Sequence, residues 1–207
     1  MDEQATTPKS FNANGQFKVS VPVGRGIETV IVRFPEDADW IERQRQREIV
    51  TRIYPDGAEE TSTNPTLEFD QDLIAKLRVE GPETDGYESG YILSLLEKAD
   101  VIDVQPEGAG YRVKLRVAGG TVTEHLVRNP TQRELAEYRQ GVYQYLNYQS
   151  KRKTIIRLGV CRSFYDGLAI ESKGYAGHMP IIHKASVAGA ILGTVNAKTG
   201  DAQPVNP

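Results

Sequence analysis

The chain carries an internal repeat, and this limits the fold more than any other feature. Phe17-Lys-Val-Ser-Val-Pro-Val-Gly-Arg-Gly26 and Tyr111-Arg-Val-Lys-Leu-Arg-Val-Ala-Gly-Gly120 share one pattern at an offset of 94. Each opens on an aromatic and a base, alternates apolar with polar residues to a valine, and enters a glycine turn. One added residue makes the offset 95, where Val30-Ile-Val-Arg-Phe-Pro35 faces His125-Leu-Val-Arg-Asn-Pro130. At that offset Glu42 faces Glu137, Phe69 faces Phe164 and Leu73 faces Leu168, and further on Gly86-Tyr87 is set against Gly174-Tyr175. A missed repeat distorts every later inference about topology, so the duplication comes first.

Alternation of period two identifies each copy's opening as a β-hairpin with one buried face. Val19, Val21 and Val23 supply that face in the first copy, and Val113, Leu115 and Val117 in the second. Gly24-Arg-Gly26 and Ala118-Gly-Gly120 supply the turns, and Pro22 marks an edge strand or a bulge. A helix follows each proline. Thr131 and Glu134 have capping-box spacing, with Leu135, Tyr138, Val142, Tyr145 and Leu146 on one predicted face. In the first copy Glu36, Asp37 and Asp39 suit a helix N-terminus. The predicted helix there continues through Glu42–Glu48 to Ile53 and stops at Tyr54-Pro-Asp-Gly57.

Further helices are predicted over residues 70–77, from the Asp85/Glu88 cap onward, around Phe164–Leu168, and after Pro180. Residues 56–66 and 80–86 are predicted loops. The fold expected is α+β, a tandem duplication of a β-hairpin followed by two or three helices. Its modules span residues 15–105 and 106–195, meeting at the 105–110 joint, with flexible tails at 1–14 and 196–207.

The 207 residues are 26% charged and 39% hydrophobic, which places the chain among globular proteins. A net charge of −3 removes the main argument for nucleic-acid binding. No stretch suggests a signal peptide or a membrane span, so the expectation is an intracellular protein.

A single cysteine, Cys161, excludes an internal disulfide and any multi-cysteine zinc site. It lies in an apolar stretch that favours an inert buried thiol over a nucleophile. His178 and His183 are five apart with Pro180 between them, which misses the i, i+4 spacing of helical metal ligands. The glycine pairs fall inside hairpins and not between a strand and a helix, so they form turns and no phosphate loop. No catalytic, cofactor-binding or metal-binding residues are assigned, and no cofactor is expected. A small enzyme with its site between the modules, using His178, His183 and carboxylates, stays open as an alternative.

Partner binding has better candidates. Tyr138, Tyr143, Tyr145 and Tyr148 crowd one predicted helix, and not all of them fit a single core-facing stripe. Trp40 lies in the equivalent helix of the first copy. Arg43, Arg45 and Arg47 follow it at alternate positions, a pattern that favours a solvated helix face. The candidate partner-binding set is Trp40, Arg43, Arg47, Tyr138, Tyr143, Tyr145 and Tyr148.

The hairpin ending in Val-Arg-x-Pro and running into a charged helix resembles the tail assembly chaperones of tailed bacteriophages. Val127-Arg-Asn-Pro-Thr131 carries the resemblance best, and Val32-Arg-Phe-Pro-Glu36 departs from it in the last residue. The likeness covers about 25 residues of each half. It implies a non-enzymatic protein in the cytoplasm of the bacterial host. Such a protein would bind the tape measure protein, recruit tail tube protein and have scope to form a homo-oligomer. A structural tail or connector protein retained in the virion is the alternative it leaves open.

Overall fold

The computed structural model describes residues 10–23, 26–53, 59–65, 67–148 and 151–199. The first copy runs β1 (Gln16–Val23), β2 (Gly26–Arg33), α1 (Asp37–Arg45), β3 (Arg47–Ile53), β4 (Glu59–Pro65), α2 (Leu67–Leu77), β5 (Arg78–Glu80) and α3 (Gly86–Glu97). Strand β6 (Ala99–Glu107) follows. The same order then returns as β7 (Gly110–Val117), β8 (Val122–Arg128), α4 (Gln132–Val142), β9 (Tyr143–Tyr148), β10 (Lys151–Ile156), α5 (Leu158–Leu168), β11 (Ala169–Lys173) and α6 (Ile181–Thr199). The chain is therefore an α+β tandem duplication.

Each copy builds one main antiparallel sheet and a separate two-stranded hairpin. The first copy's main sheet has strand order β1-β2-β5, and the second's repeats it as β7-β8-β11 with β6 added beside β7. Even an irregularity is copied. Val32 pairs with Arg78 and Ile31 with Glu80, skipping Val79, just as Val127 pairs with Ala169 and Leu126 with Glu171, skipping Ile170. A bulge retained at the same place is a designed feature of a strand, not a defect. A positive-φ glycine follows each of these strands, Gly81 after β5 with φ of 109° and Gly174 after β11 with φ of 89°. The bulge register sets Gly81 against Ser172, so Gly174 lies two residues further on. It does not correspond to Gly86, which opens α3.

The structure also corrects the register of the repeat. Leu67 and Leu158 open equivalent helices, and buried Asp70, Leu73, Ile74 and Leu77 correspond to buried Cys161, Phe164, Tyr165 and Leu168. The offset there is 91, so Leu73 matches Phe164 and not Leu168, and Phe69 does not match Phe164. The difference of four residues lies in the segment between the helices. There the predicted long helix of the first copy is replaced by a hairpin: α1 stops at Arg45, and β3 pairs with β4. Likewise α4 stops at Val142, and β9 pairs with β10. The turn predicted at 54–57 lies outside the described residues. Residues 59–65, predicted as loop, are strand β4.

The Val-Arg-x-Pro motif has a structural meaning. Arg33 donates to the carbonyl of Lys76 at 3.1 Å, and Arg128 donates to that of Gly167 at 2.8 Å. Each arginine thus satisfies a carbonyl in the last turn of α2 or α5, where helix carbonyls lack partners and cations are favoured. The predicted caps form as well. Thr131 and Glu134 exchange hydrogen bonds with each other's backbone amides, as do Asp85 and Glu88.

The copies share one apolar core. Phe11, assigned from sequence to a flexible tail, is buried: its amide donates to Gly174 O and its carbonyl accepts from Ala176 N, both at 2.8 Å. Its ring meets Phe34 at 5.1 Å and His183 at 4.8 Å, sealing the junction. Helix α1 also caps two helices of the other copy. Asp37 Oδ1 accepts from Ile181 N at 2.8 Å, and Gln44 Oε1 accepts from Leu158 N at 3.2 Å. The 105–110 joint is the tight end of the β6–β7 hairpin, and the chain crosses between modules as strand β6.

Candidate partner-binding groove

Strand β1 bonds to β2 on one side and to no other strand among the described residues. Along its open edge runs a groove of about 730 Å³. Gly15 to Ser20, six consecutive residues, form one wall, and consecutive residues of a strand line a groove only along its edge. Phe17 and Val19 turn inward onto α3, while Lys18 and Ser20 stay exposed. Tyr91 and Leu95 of α3 supply an apolar floor. Lys98, Asp100 and residues 116–121 form the far wall, where Gly119 and Gly120 turn with φ of 74° and 77°. Lys98 pairs with Asp100 at 3.3 Å, but among the described residues Lys18 and Arg116 are in no ion pair.

The residues proposed from sequence lie elsewhere. Trp40 is 2% exposed, against Phe34. Arg43 is buried too. Its Nε and Nη2 grip Asp70 at 2.8 and 3.0 Å, and Nη1 reaches Glu97 at 2.8 Å. Burial disfavours the guanidinium charge, yet the two carboxylates outweigh it and hold its pKa above the ordinary value. Tyr138 stacks on Phe164 with centroids 4.2 Å apart, and its hydroxyl lies 3.5 Å from Cys161 Sγ. These three present no docking surface, because positions 40, 43, 135 and 138 make the inward stripe of α1 and α4. Tyr143, Tyr145 and Tyr148 fall on β9 and Arg47 on β3, not on helices, and their side chains lie outside the described set.

His178 and His183 do not converge. His178 is exposed and reaches Asp37 Oδ2 at 3.1 Å. His183 is fully buried, its Nδ1 at 3.1 Å from the Tyr175 hydroxyl. The sequence reading passed over His125, the third, which is also fully buried. Its Nε2 lies 3.0 Å from Thr123 Oγ1 and its Nδ1 3.1 Å from the Tyr165 hydroxyl. Tyr175 closes the chain to Thr123 at 3.3 Å. Desolvation lowers His125 to about 4 and His183 to about 3, the latter assisted by the nearby His125. Both are neutral near pH 7, and the network satisfies most of its polar atoms inside the core, leaving His183 Nε2 without a partner. Cys161 is fully buried, and burial raises its pKa, which disfavours the thiolate. Among the described residues no three His, Cys, Asp or Glu side chains are placed to hold a metal ion, and no helix is long and apolar enough to cross a membrane.

The groove was missed because its signal is a difference between the copies: a strand precedes Tyr111 and, among the described residues, none precedes β1. No family model, curated protein or solved structure matches the chain.

Proposed function

We propose that the chain is a non-enzymatic assembly protein of bacteriophage tails. It binds the tape measure protein, keeps it from aggregating and brings tail tube protein to it in the cytoplasm of the host. The observation that carries the reading is the open β1 edge beside a groove with an apolar floor and basic rim. Unpaired strand edges are templates for another polypeptide, and proteins without such a use for them keep them covered. The doubled hairpin–Arg-x-Pro–helix unit supports the choice of a phage tail partner by resemblance. A structural tail or connector protein would use the same surface permanently.

Co-expression with the phage's tape measure and tail tube proteins, followed by size-exclusion chromatography and mass spectrometry of mature particles, tests this. The expected result is a complex with the tape measure protein and absence of the chain from particles. Stoichiometric retention in particles establishes the structural reading instead, and failure to form any complex rejects both.

A further inference from the structure

Strands β1 and β7 are equivalent, but among the described residues only β7 of the two has both edges filled. Strand β6 lies antiparallel along it, from Ala99 opposite Val117 to Glu107 opposite Gly110. It is built to a rule. Ala99, Val101, Val104 and Pro106 pair with the inward-facing Val117, Leu115, Val113 and Tyr111. Asp100, Asp103 and Gln105 pair with the basic Arg116, Lys114 and Arg112, and Glu107 forms an ion pair with Arg112. Apart from Ile102, which the ladder skips as a bulge, apolar residues thus alternate with mostly acidic ones along the added strand. In the first copy the chain before β1 turns away at Asn12–Gly15, and Phe11 pairs with Tyr175. The place of β6 beside β1 is left open.

We propose that the β1 edge accepts, by antiparallel strand addition, an extended segment of another protein in which acidic and apolar residues alternate. About six residues dock along Gly15–Ser20. Their apolar side chains rest on Tyr91 and Leu95, as β6 rests on α6, and their carboxylates face Lys18 and Arg116. Backbone hydrogen bonds hold the segment, while alternate side chains select it. The inference rests on the partner-binding reading and names the chemistry of the partner.

A capped, fluorescent nonapeptide alternating aspartate with valine is the probe, titrated against the full chain and followed by hydrogen-exchange mass spectrometry. Saturable binding with slowed exchange at residues 15–20 is expected, together with no binding of the lysine–valine peptide. The exposed double variant Lys18→Glu/Arg116→Glu is expected to weaken binding at least about tenfold, since reversing charges on a binding rim opposes encounter and register. Tyr91→Ala is expected to weaken it about fivefold, through loss of part of an aromatic contact.

Equal binding of the lysine peptide, no binding of either, or protection at β7 in place of β1 overturns the proposal. So does a dimer in sedimentation whose β1 is protected without peptide, which would assign the edge to a second copy. An affinity gain of about tenfold or more on removing residues 1–9 would assign it to the chain's own N-terminus. If Lys18→Glu/Arg116→Glu still co-purifies with the tape measure protein, the partner-binding reading stands and only strand acceptance falls.

Discussion

The two copies solve one packing problem with opposite chemistry. Where α1 meets α2, Arg43 and Asp70 form a buried ion pair; at the same two positions Tyr138 and Cys161 meet between α4 and α5. Next to Cys161 on the same face, Phe164 replaces Leu73 and stacks on Tyr138. The backbone places these residues alike, so the topology does not require the charges. A buried ion pair contributes little net stability, because desolvating both ions offsets their attraction, but either partner alone is costly.

The largest effect is therefore expected from breaking this pair. Asp70→Ala leaves the buried guanidinium with Glu97 as its one carboxylate partner and is expected to cost about 3 kcal/mol in urea unfolding, the low end for breaking a buried pair. Cys161→Ala, at the equivalent position, is expected to cost about 1 kcal/mol. Transplanting the second copy's solution as Arg43→Tyr/Asp70→Cys is expected to restore stability to within about 1 kcal/mol of the parent or above it. A double variant as unstable as Asp70→Ala would show that the copies are not interchangeable at this contact.

Acid separates the copies next, because all three histidines belong to the second. His125 and His183 titrate at about 4 and about 3 when folded, below the ordinary imidazole value of 6.5. As pH falls below 6.5 the unfolded chain takes up protons first. Their contribution is thus complete above pH 6.5 and is lost progressively down to the folded values. The slope is at most about 1.4 kcal/mol per pH unit for each imidazole. His125→Val, which installs the residue found at its counterpart Val30, is expected to remove about half of the dependence between pH 6.5 and 4. An unchanged slope in denaturation at stepped pH would mean that other groups carry the acid sensitivity.

The contrast between copies also explains what was legible in the sequence. The β-hairpins were readable because Val19/Val21 and Val113/Leu115 alternate at period two, and the caps because Thr131/Glu134 and Asp85/Glu88 are local patterns. The segments after α1 and α4 were misread as helix because no glycine or proline follows either helix directly, and Gly141, one residue before the end of α4, is tolerated inside a helical pattern. Yet Tyr143-Gln-Tyr145 already alternates, with aromatic residues that favour strands. The Arg43–Asp70 pair spans 27 residues, a separation that carries no periodic signal. The groove was hidden for another reason: it is defined by a strand present in one copy and, among the described residues, without a counterpart in the other.

The positive-φ glycines rank next, and the copies grade them. A Cβ on Gly81 would sit 2.6 Å from Thr29 O, and one on Gly174 3.0 Å from Val122 O. Both positions also strain any L side chain. Gly81→Ala is expected to cost about 2–3 kcal/mol and Gly174→Ala less, read as urea midpoints. The reverse order would mean that β8 yields less readily than β2.

The smallest effect concerns the arginine that gives the repeat its signature. Arg33 and Arg128 each donate to a last-turn carbonyl, but only Arg128 also grips a carboxylate, Glu134. That contact, with the Thr131 amide and hydroxyl, holds Glu134 down to about 2. Both arginines are partly open to solvent, so water replaces much of what either loses, and Arg33→Ala is expected to cost about 0.5–1 kcal/mol. Arg128→Ala is expected to cost slightly more, and added salt should shrink the excess because it comes from a solvent-exposed ion pair. If both variants cost the same at every salt concentration, the shared helix cap explains why the motif stands in both copies and the Glu134 contact adds nothing.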